Sequence, residues 1–399
     1  MQRLRRRTIL ATAAAALTTP SIVRADTAAL VIGAPLPITG GLAPDGAKQQ
    51  RGYQFWLETV TQAGGIQVGG SKVIPRIVLA DYQSNTPRAV QAAERLITQD
   101  GCNVLFGPLG SGATKAASSV AERYKVPLVA ASASSKEVYD QGYKFLFGTF
   151  TPNDTLTGPI IDLVRAQAPD VTSVAILARN DLFPLAIAQE MDKAARAHGI
   201  SVTSFDKYAV GTMDFASSLS AMAAAQPKWV FATGYINDLM LIRRQMDEQK
   251  LTAPVITMLA GPAYREFRDE LGPLAEGVTT ASWWAPAAGY TGCQGPWAST
   301  DAFVAAYQAR FNVVPDYGEA SAAACGVAVQ LAAQAAGSTD PQAVRDALAK
   351  LDAPTFFGPL RFGTDGQETA LKPPILQIQG GKLVVLYPPE IKQGEFRRI

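Results

Sequence analysis

Ser111, Ser132 and Ser134 each follow a short apolar run, a placement that suits them to hold an anion. The first run, Val104 to Phe106, breaks at Gly107-Pro108 and passes through Leu109-Gly110-Ser111-Gly112 into an Ala- and Ser-rich stretch. A strand that ends in a Gly-rich turn and opens a helix leaves free backbone N–H groups at a sheet edge, where the helix dipole favours negative charge. A hydroxyl there can cap the helix or donate to an anionic ligand. The pattern returns one unit later, where residues 127–131 run into Ser132-Ala133-Ser134-Ser135. Two adjacent strand ends with serine-rich mouths predict one small-molecule site at the carboxyl edge of a parallel sheet.

Sharper chemistry fails on particular residues. Gly107 and Gly112 have the spacing of a P-loop's glycines, but Ala113-Thr114 follows where that loop needs Lys-Ser/Thr. Without the lysine nothing reaches the terminal phosphates. Gly110-Ser111-Gly112 lacks the full G-x-S-x-G of a hydrolase elbow. The one histidine, His198, precedes Gly199 at an expected helix end and reads as a dipole partner, which leaves no base for a nucleophilic triad. Cys102, Cys293 and Cys325 match no metal-site spacing. In an oxidising compartment they allow one disulfide; any of three pairings is open, and Cys293–Cys325 is preferred because Cys102 begins a buried strand. No cofactor is implied.

The elements that position these residues alternate. Apolar runs separated by helix-length segments read as βαβ units and a parallel sheet over residues 30–150. In this first series residues 30–37 read as a strand and 48–62 as a helix. A second series of the same design occupies 158–271, and three helices and a strand-rich tail come after it. The fold class is α/β, with two Rossmann-like lobes. Hydrophobic residues make up 48% of the chain, enough for two cores, and the formal net charge of +2 gives no reason to expect nucleic acid or an anionic membrane as partner. Arg3, Arg5, Arg6 and Arg7, an apolar stretch over 9–17 and Val23-Arg24-Ala25 read as an export signal over residues 1–25. It is of twin-arginine or Sec type. No other apolar run is long enough to span a bilayer.

One known family carries these features in the same order. The stretches IGAPLPITGGLAPDGAKQQRGYQFWLE, AGGI at 63–66, Asp81 with Thr86-Pro87 and Ala92, GPLGSG, VPLVAASAS, ATGYINDLMLIRRQM and the Trp283-Trp284 pair together resemble the type I periplasmic solute-binding proteins of ABC transporters, Leu/Ile/Val-binding branch. The resemblance implies two lobes joined by three crossovers, at 26–150 plus 284–373 and 151–283 plus 374–399. It implies a monomeric periplasmic receptor that delivers a small molecule to an inner-membrane ABC permease. Ser111 matches the hydroxyl that binds a ligand carboxylate, with Leu109 and Gly110 beside it. Ser132, Ala133 and Ser134 match the next loop, while Phe183 and Tyr235 match rings that close over the ligand.

The departures shape the ligand. Amino-acid binders use a second-lobe acid for the ligand's ammonium, but Ala260-Gly261-Pro262-Ala263 holds none and Asp154 falls off register. A buried ammonium without a carboxylate is costly. Phe150, Phe183, Tyr235, Trp283 and Trp284 form an aromatic reserve, so an aromatic or other apolar organic acid is expected over a branched-chain amino acid. Arg179 stands ready for a second acidic group, with a plain ion pair as its other reading. A ligand-sensing module and an exported hydrolase are the competing classes.

Overall fold

The computed structural model describes residues 29–399, so the export segment expected over 1–25 lies outside them. The chain opens with β1 (Val31–Leu36), α1 (Ala43–Gln62), a small hairpin of β2 (Ile66–Val68) and β3 (Ser71–Val73), then β4 (Arg76–Asp81) and α2 (Thr86–Thr98). It continues through β5 (Val104–Phe106), α3 (Ser111–Tyr124), β6 (Leu128–Ala130), α4 (Lys136–Tyr139) and β7 (Leu146–Gly148). These strands form an all-parallel sheet in the order β4-β1-β5-β6-β7. Helices cover both faces, so β1, β5, β6 and β7 are buried along their whole length and read as unbroken apolar runs.

The second unit runs through α5 (Asp154–Gln167), β8 (Ser173–Arg179), α6 (Leu182–Ala197), β9 (Ser201–Tyr208), α7 (Ala216–Ala224) and β10 (Trp229–Thr233). Then come α8 (Ile236–Glu248), β11 (Val255–Leu259), α9 (Arg265–Leu271) and β12 (Thr279–Ala281). The chain returns to the first unit with α10 (Thr300–Phe311), α11 (Tyr317–Ala336), α12 (Pro341–Leu348) and the hairpin of β13 (Asp352–Thr355) and β14 (Gly358–Arg361). It ends on β15 (Ile375–Gln379) and β16 (Lys382–Tyr387), which add antiparallel to the second sheet, in the order β16-β15-β12-β11-β10-β8-β9.

Both sheets reverse strand order beside their first strand, between β1 and β5 and between β8 and β10. Such a switch point opens a crevice at the carboxyl ends of the strands. Here the two crevices face each other.

The returning helix α11 is apolar all round and buried along most of its length, as a core helix must be. It crosses α1 closely because glycines remove the side chains at the contact. A Cβ on Gly52 would lie 2.2 Å from the Glu319 carbonyl oxygen, and one on Gly326 would lie 2.3 Å from the Trp56 ring. Among the described residues no single helix is long and apolar enough to cross a membrane.

The expected disulfide is a correction. All three cysteines are free, with Cys325 buried in mid-α11, Cys102 buried and Cys293 half-buried in the loop before α10. Burial pushes the Cys102 thiol up to about 11 and the Cys325 thiol further still, so both are held as thiols. His198 is the C-cap of α6, with Nδ1 2.8 Å from the Ala194 carbonyl oxygen, as its place before Gly199 leads one to expect.

Candidate functional site

A cavity lies between the two sheets, and its wall is built from the segments just past the strands' carboxyl ends. From the first sheet come Asp45 and Gln49 after β1, Leu109 and Gly110 after β5, Ser132 and Ser134 after β6, and Phe150 after β7. From the second come Phe183 after β8, Tyr235 after β10, Ala260 and Tyr264 after β11, and Trp283 after β12. The start of α11 closes the wall with Tyr317, Gly318 and Ser321. The empty space, counted to its mouth, is about 440 Å³, and the room left for the centre of a water-sized sphere is about 30 Å³. The lobes therefore leave little room between them.

Six helices begin at this wall. Asp45 lies in the first turn of α1, Gly110 is the N-cap of α3, and Phe183 is the second residue of α6. Tyr235 and Tyr264 are the N-caps of α8 and α9, and Tyr317 opens α11. Their N-terminal dipole ends favour a negative group in the cavity. None of the described lining residues is Lys or Arg. The polar donors are hydroxyls.

Ser132 is made a donor by its neighbours. Its Oγ accepts from Gly110 N–H at 3.1 Å and from Gln49 Nε2 at 2.7 Å. A hydroxyl has two acceptor lone pairs and one proton, so the proton is what remains for a ligand. Ser134 Oγ is buried without a partner. Burial pushes the phenols of Tyr235, Tyr264 and Tyr317 well up, which keeps them as neutral hydroxyls.

The rings form a box. Phe150 stacks on Trp283 with centroids 3.9 Å apart, and Tyr264 stacks on Tyr317 at 4.8 Å across the cleft. Phe183 leans on both Tyr235 and Trp283 at 6.2 Å.

Five residues expected at the site stand behind the wall. Ser111 is fully buried; its Oγ accepts from the backbone N–H groups of Ser134 at 3.3 Å and Ser135 at 3.2 Å, so it braces the serine loop. Ala133 faces the first core, its carbonyl accepting from the Tyr139 hydroxyl. Gly261 faces Leu239. Arg179 does not offer a free charge: its guanidinium is 2.8 Å from Asp238, 3.7 Å from Asp181 and 5.0 Å over the Tyr235 ring. Trp284 donates to the Phe356 carbonyl oxygen at 3.2 Å and packs on Phe303, because successive residues of an extended segment point to opposite sides and Trp283 takes the cavity side.

Among the described lining residues the second lobe gives no acid, as read at 260–263. Asp154 pairs with Lys136 at 2.9 Å on the surface. A carboxylate does line the cavity, but it is Asp45, from the first lobe. Burial pushes its carboxyl up to about 7, with Lys48 and the Tyr264 hydroxyl holding it back and Asp238 adding to the rise. Tyr264, Tyr317, Gly318 and Ser321 also go unread in the sequence. Two signals mark the relevant helix starts: Pro44 in the first turn of α1, and the Asp316-x-x-Glu319 capping box of α11.

Residues 29–382 match the family model described as periplasmic binding protein, and the chain belongs to that family. It is 28% identical to a Leu/Ile/Val-binding protein homologue of Brucella abortus, over 94% of this chain and 95% of the other. It is 28% identical to a leucine-, isoleucine-, valine-, threonine- and alanine-binding protein of Pseudomonas aeruginosa, over 83% and 84%. The fold is that of a leucine-binding protein from Thermotoga maritima, with a TM-score of 0.80, 22% identity, and 90% and 99% of the two chains covered. A solute-binding protein from R. palustris solved with benzoate shares it at a TM-score of 0.77 and 19% identity, over 93% and 98%. The two-lobed type I fold and the solute-binding class expected from the sequence are thereby established.

Proposed function

We propose that the protein is the periplasmic receptor of an ABC importer and binds a small carboxylate-bearing solute with an apolar or aromatic body. It acts by binding and hinge closure, without catalysis, and hands the solute to an inner-membrane permease as a monomer. The observation that carries this reading is Ser132, a hydroxyl left with only its proton to give, facing an aromatic box at converging helix N-termini. Neutral donors hold a carboxylate without the desolvation cost of a buried counter-charge. The flat ring stacks suit a planar or branched apolar body. The benzoate bound by the R. palustris protein and the amino acids named for the P. aeruginosa relative are both carboxylates of this size.

In this reading the lobes are 26–150 plus 284–373 and 151–283 plus 374–399, and the three crossovers form the hinge. Two bonds that stitch the crossovers together support it: Trp283 Nε1 donates to the Thr151 carbonyl oxygen at 3.2 Å, and Ser282 N–H donates to the Pro374 carbonyl oxygen at 3.1 Å. The test is a thermal-shift screen of the purified protein against aliphatic amino acids, aromatic carboxylates, dicarboxylates and small amides. A ligand at a hundred times its Kd adds about 2.7 kcal/mol. Stabilisation by amides alone, or by no compound of the panel, contradicts the reading.

A further inference from the structure

We infer that the ligand carries, besides its carboxylate, an O–H or N–H donor, and that Asp45 is the specificity residue that receives it. The inference rests on the solute-binding reading of the cleft. Asp45 is 3% exposed, lines the cavity from the first turn of α1, and its Oδ2 has no hydrogen-bond partner. A carboxylate oxygen left alone in such a place is costly.

Among the described residues no cation is in ion-pair contact with it, and Lys48, which lowers its carboxyl from nearby, is committed elsewhere. Lys48, one turn along the same helix, has its ammonium 2.6 Å from Asp316 and 2.8 Å from Glu266. From α11, Glu319 is held by Arg51 at 2.7 Å, and from α8, Asp238 is held by Arg179 at 2.8 Å. From the start of α9, the Tyr264 hydroxyl lowers the Asp45 carboxyl, and Oδ2 still stands unpartnered.

A second acceptor lies beside it. Gln49, one turn on and on the same helix face, gives its Nε2 to Ser132 and leaves Oε1 buried without a partner. A plain acid such as benzoate answers the serines and leaves both acceptors bare. An acid that also bears a hydroxyl or an ammonium answers both ends, and an ammonium would gain from the surrounding ring faces as well. The ligand class is therefore a hydroxy or amino acid with an apolar or aromatic body.

The test is isothermal titration of the purified protein with two matched series. One is 3-phenylpropanoate, 3-phenyllactate and phenylalanine; the other is benzoate, 4-hydroxybenzoate and 4-aminobenzoate. In at least one series the donor-bearing acid should bind at least about tenfold more tightly than its unsubstituted parent. Whether the hydroxyl or the amine gives the larger gain tells the two donors apart. Asp45→Ala and Asp45→Asn should reduce that preference to about threefold or less, with melting curves showing both variants folded. Parent acids that bind as tightly as their donor-bearing partners overturn the inference while leaving the carboxylate reading intact, and this comparison needs no variant. A preference that survives Asp45→Ala overturns the role of Asp45. Failure of every carboxylate to bind overturns both.

Discussion

Tyr235 occupies the space that a side chain on Gly110 would need: a Cβ on Gly110 would lie 2.4 Å from the Tyr235 hydroxyl oxygen. Gly110 also sits at φ +82, where L side chains are strained. The first residue belongs to the lobe of the second sheet and the second to the lobe of the first. Their approach is therefore a measure of closure. Gly110→Ala should hold the lobes apart, weaken ligand binding by tenfold or more, and leave the radius of gyration in small-angle scattering unchanged on adding ligand. Wild-type affinity and a normal ligand-induced compaction would show that the approach is incidental.

Ser111 should matter to binding from behind the wall. Ser111→Ala leaves the N–H groups of Ser134 and Ser135 without their acceptor. An unsatisfied buried donor costs about 1–3 kcal/mol. The variant should melt several degrees lower, and its ligand affinity should fall with the loss of order in the serine loop. Unchanged melting and unchanged affinity would remove the bracing role.

Much of this arrangement is legible in the sequence, and what is missed has a local cause. The unbroken apolar runs reveal the parallel sheets, and the serines after β5 and β6 point to the strand ends. The helix start is where the reading slips. The sequence predicts a helix from residue 48, because its apolar set begins at Tyr53, whereas α1 starts at Ala43. Those five residues carry Asp45. Likewise Tyr317 and Gly318 open α11 ahead of its Ala-rich run. An aromatic residue that closes a site is indistinguishable in composition from a core aromatic. Trp283 and Trp284 separate only once the backbone gives each a side.

The ion cluster beside the cavity links the lobes. Lys48 is 1% exposed and joins Asp316 and Glu319 of α11 to Glu266 of α9. Burial alone would raise the Glu319 carboxyl, yet Lys48, Asp316 and Arg51 bring it down to about 2. Lys48→Met takes the one paired cation from Asp316 and leaves Glu266 and Glu319 to Arg265 and Arg51, which should cost roughly 3–5 kcal/mol in chemical denaturation. Glu266→Gln, at the partly exposed second-lobe end, should cost about 1 kcal/mol or less and act chiefly on ligand affinity. Equal effects of the two substitutions on unfolding would contradict this division.

The ligand-free protein should lose stability as the pH rises from 4 to 7. Burial raises Asp45 to about 7 from 3.8, and Glu368, which accepts from the backbone of Arg361, Ala370 and Leu371, to about 7 from 4.5. A carboxyl raised by folding holds a proton that the unfolded chain releases. Its contribution is complete below the unfolded value and is lost as the pH passes through the folded one, on the order of 1–4 kcal/mol for each group. Asp45→Asn and Glu368→Gln should each flatten the slope of Tm against pH in that window. A slope unchanged in both variants would assign the pH dependence elsewhere.

Everything proposed for the cavity depends on a small carboxylate sitting there with Ser132 as its donor. Isothermal titration of the strongest stabilising acid into the wild-type protein and into Ser132→Ala puts that to the test. One site per chain is expected, with at least about tenfold weaker binding in the variant and a melting temperature within a few degrees of wild type. Equal affinity in the two proteins, or no saturable binding of any carboxylate, would contradict it.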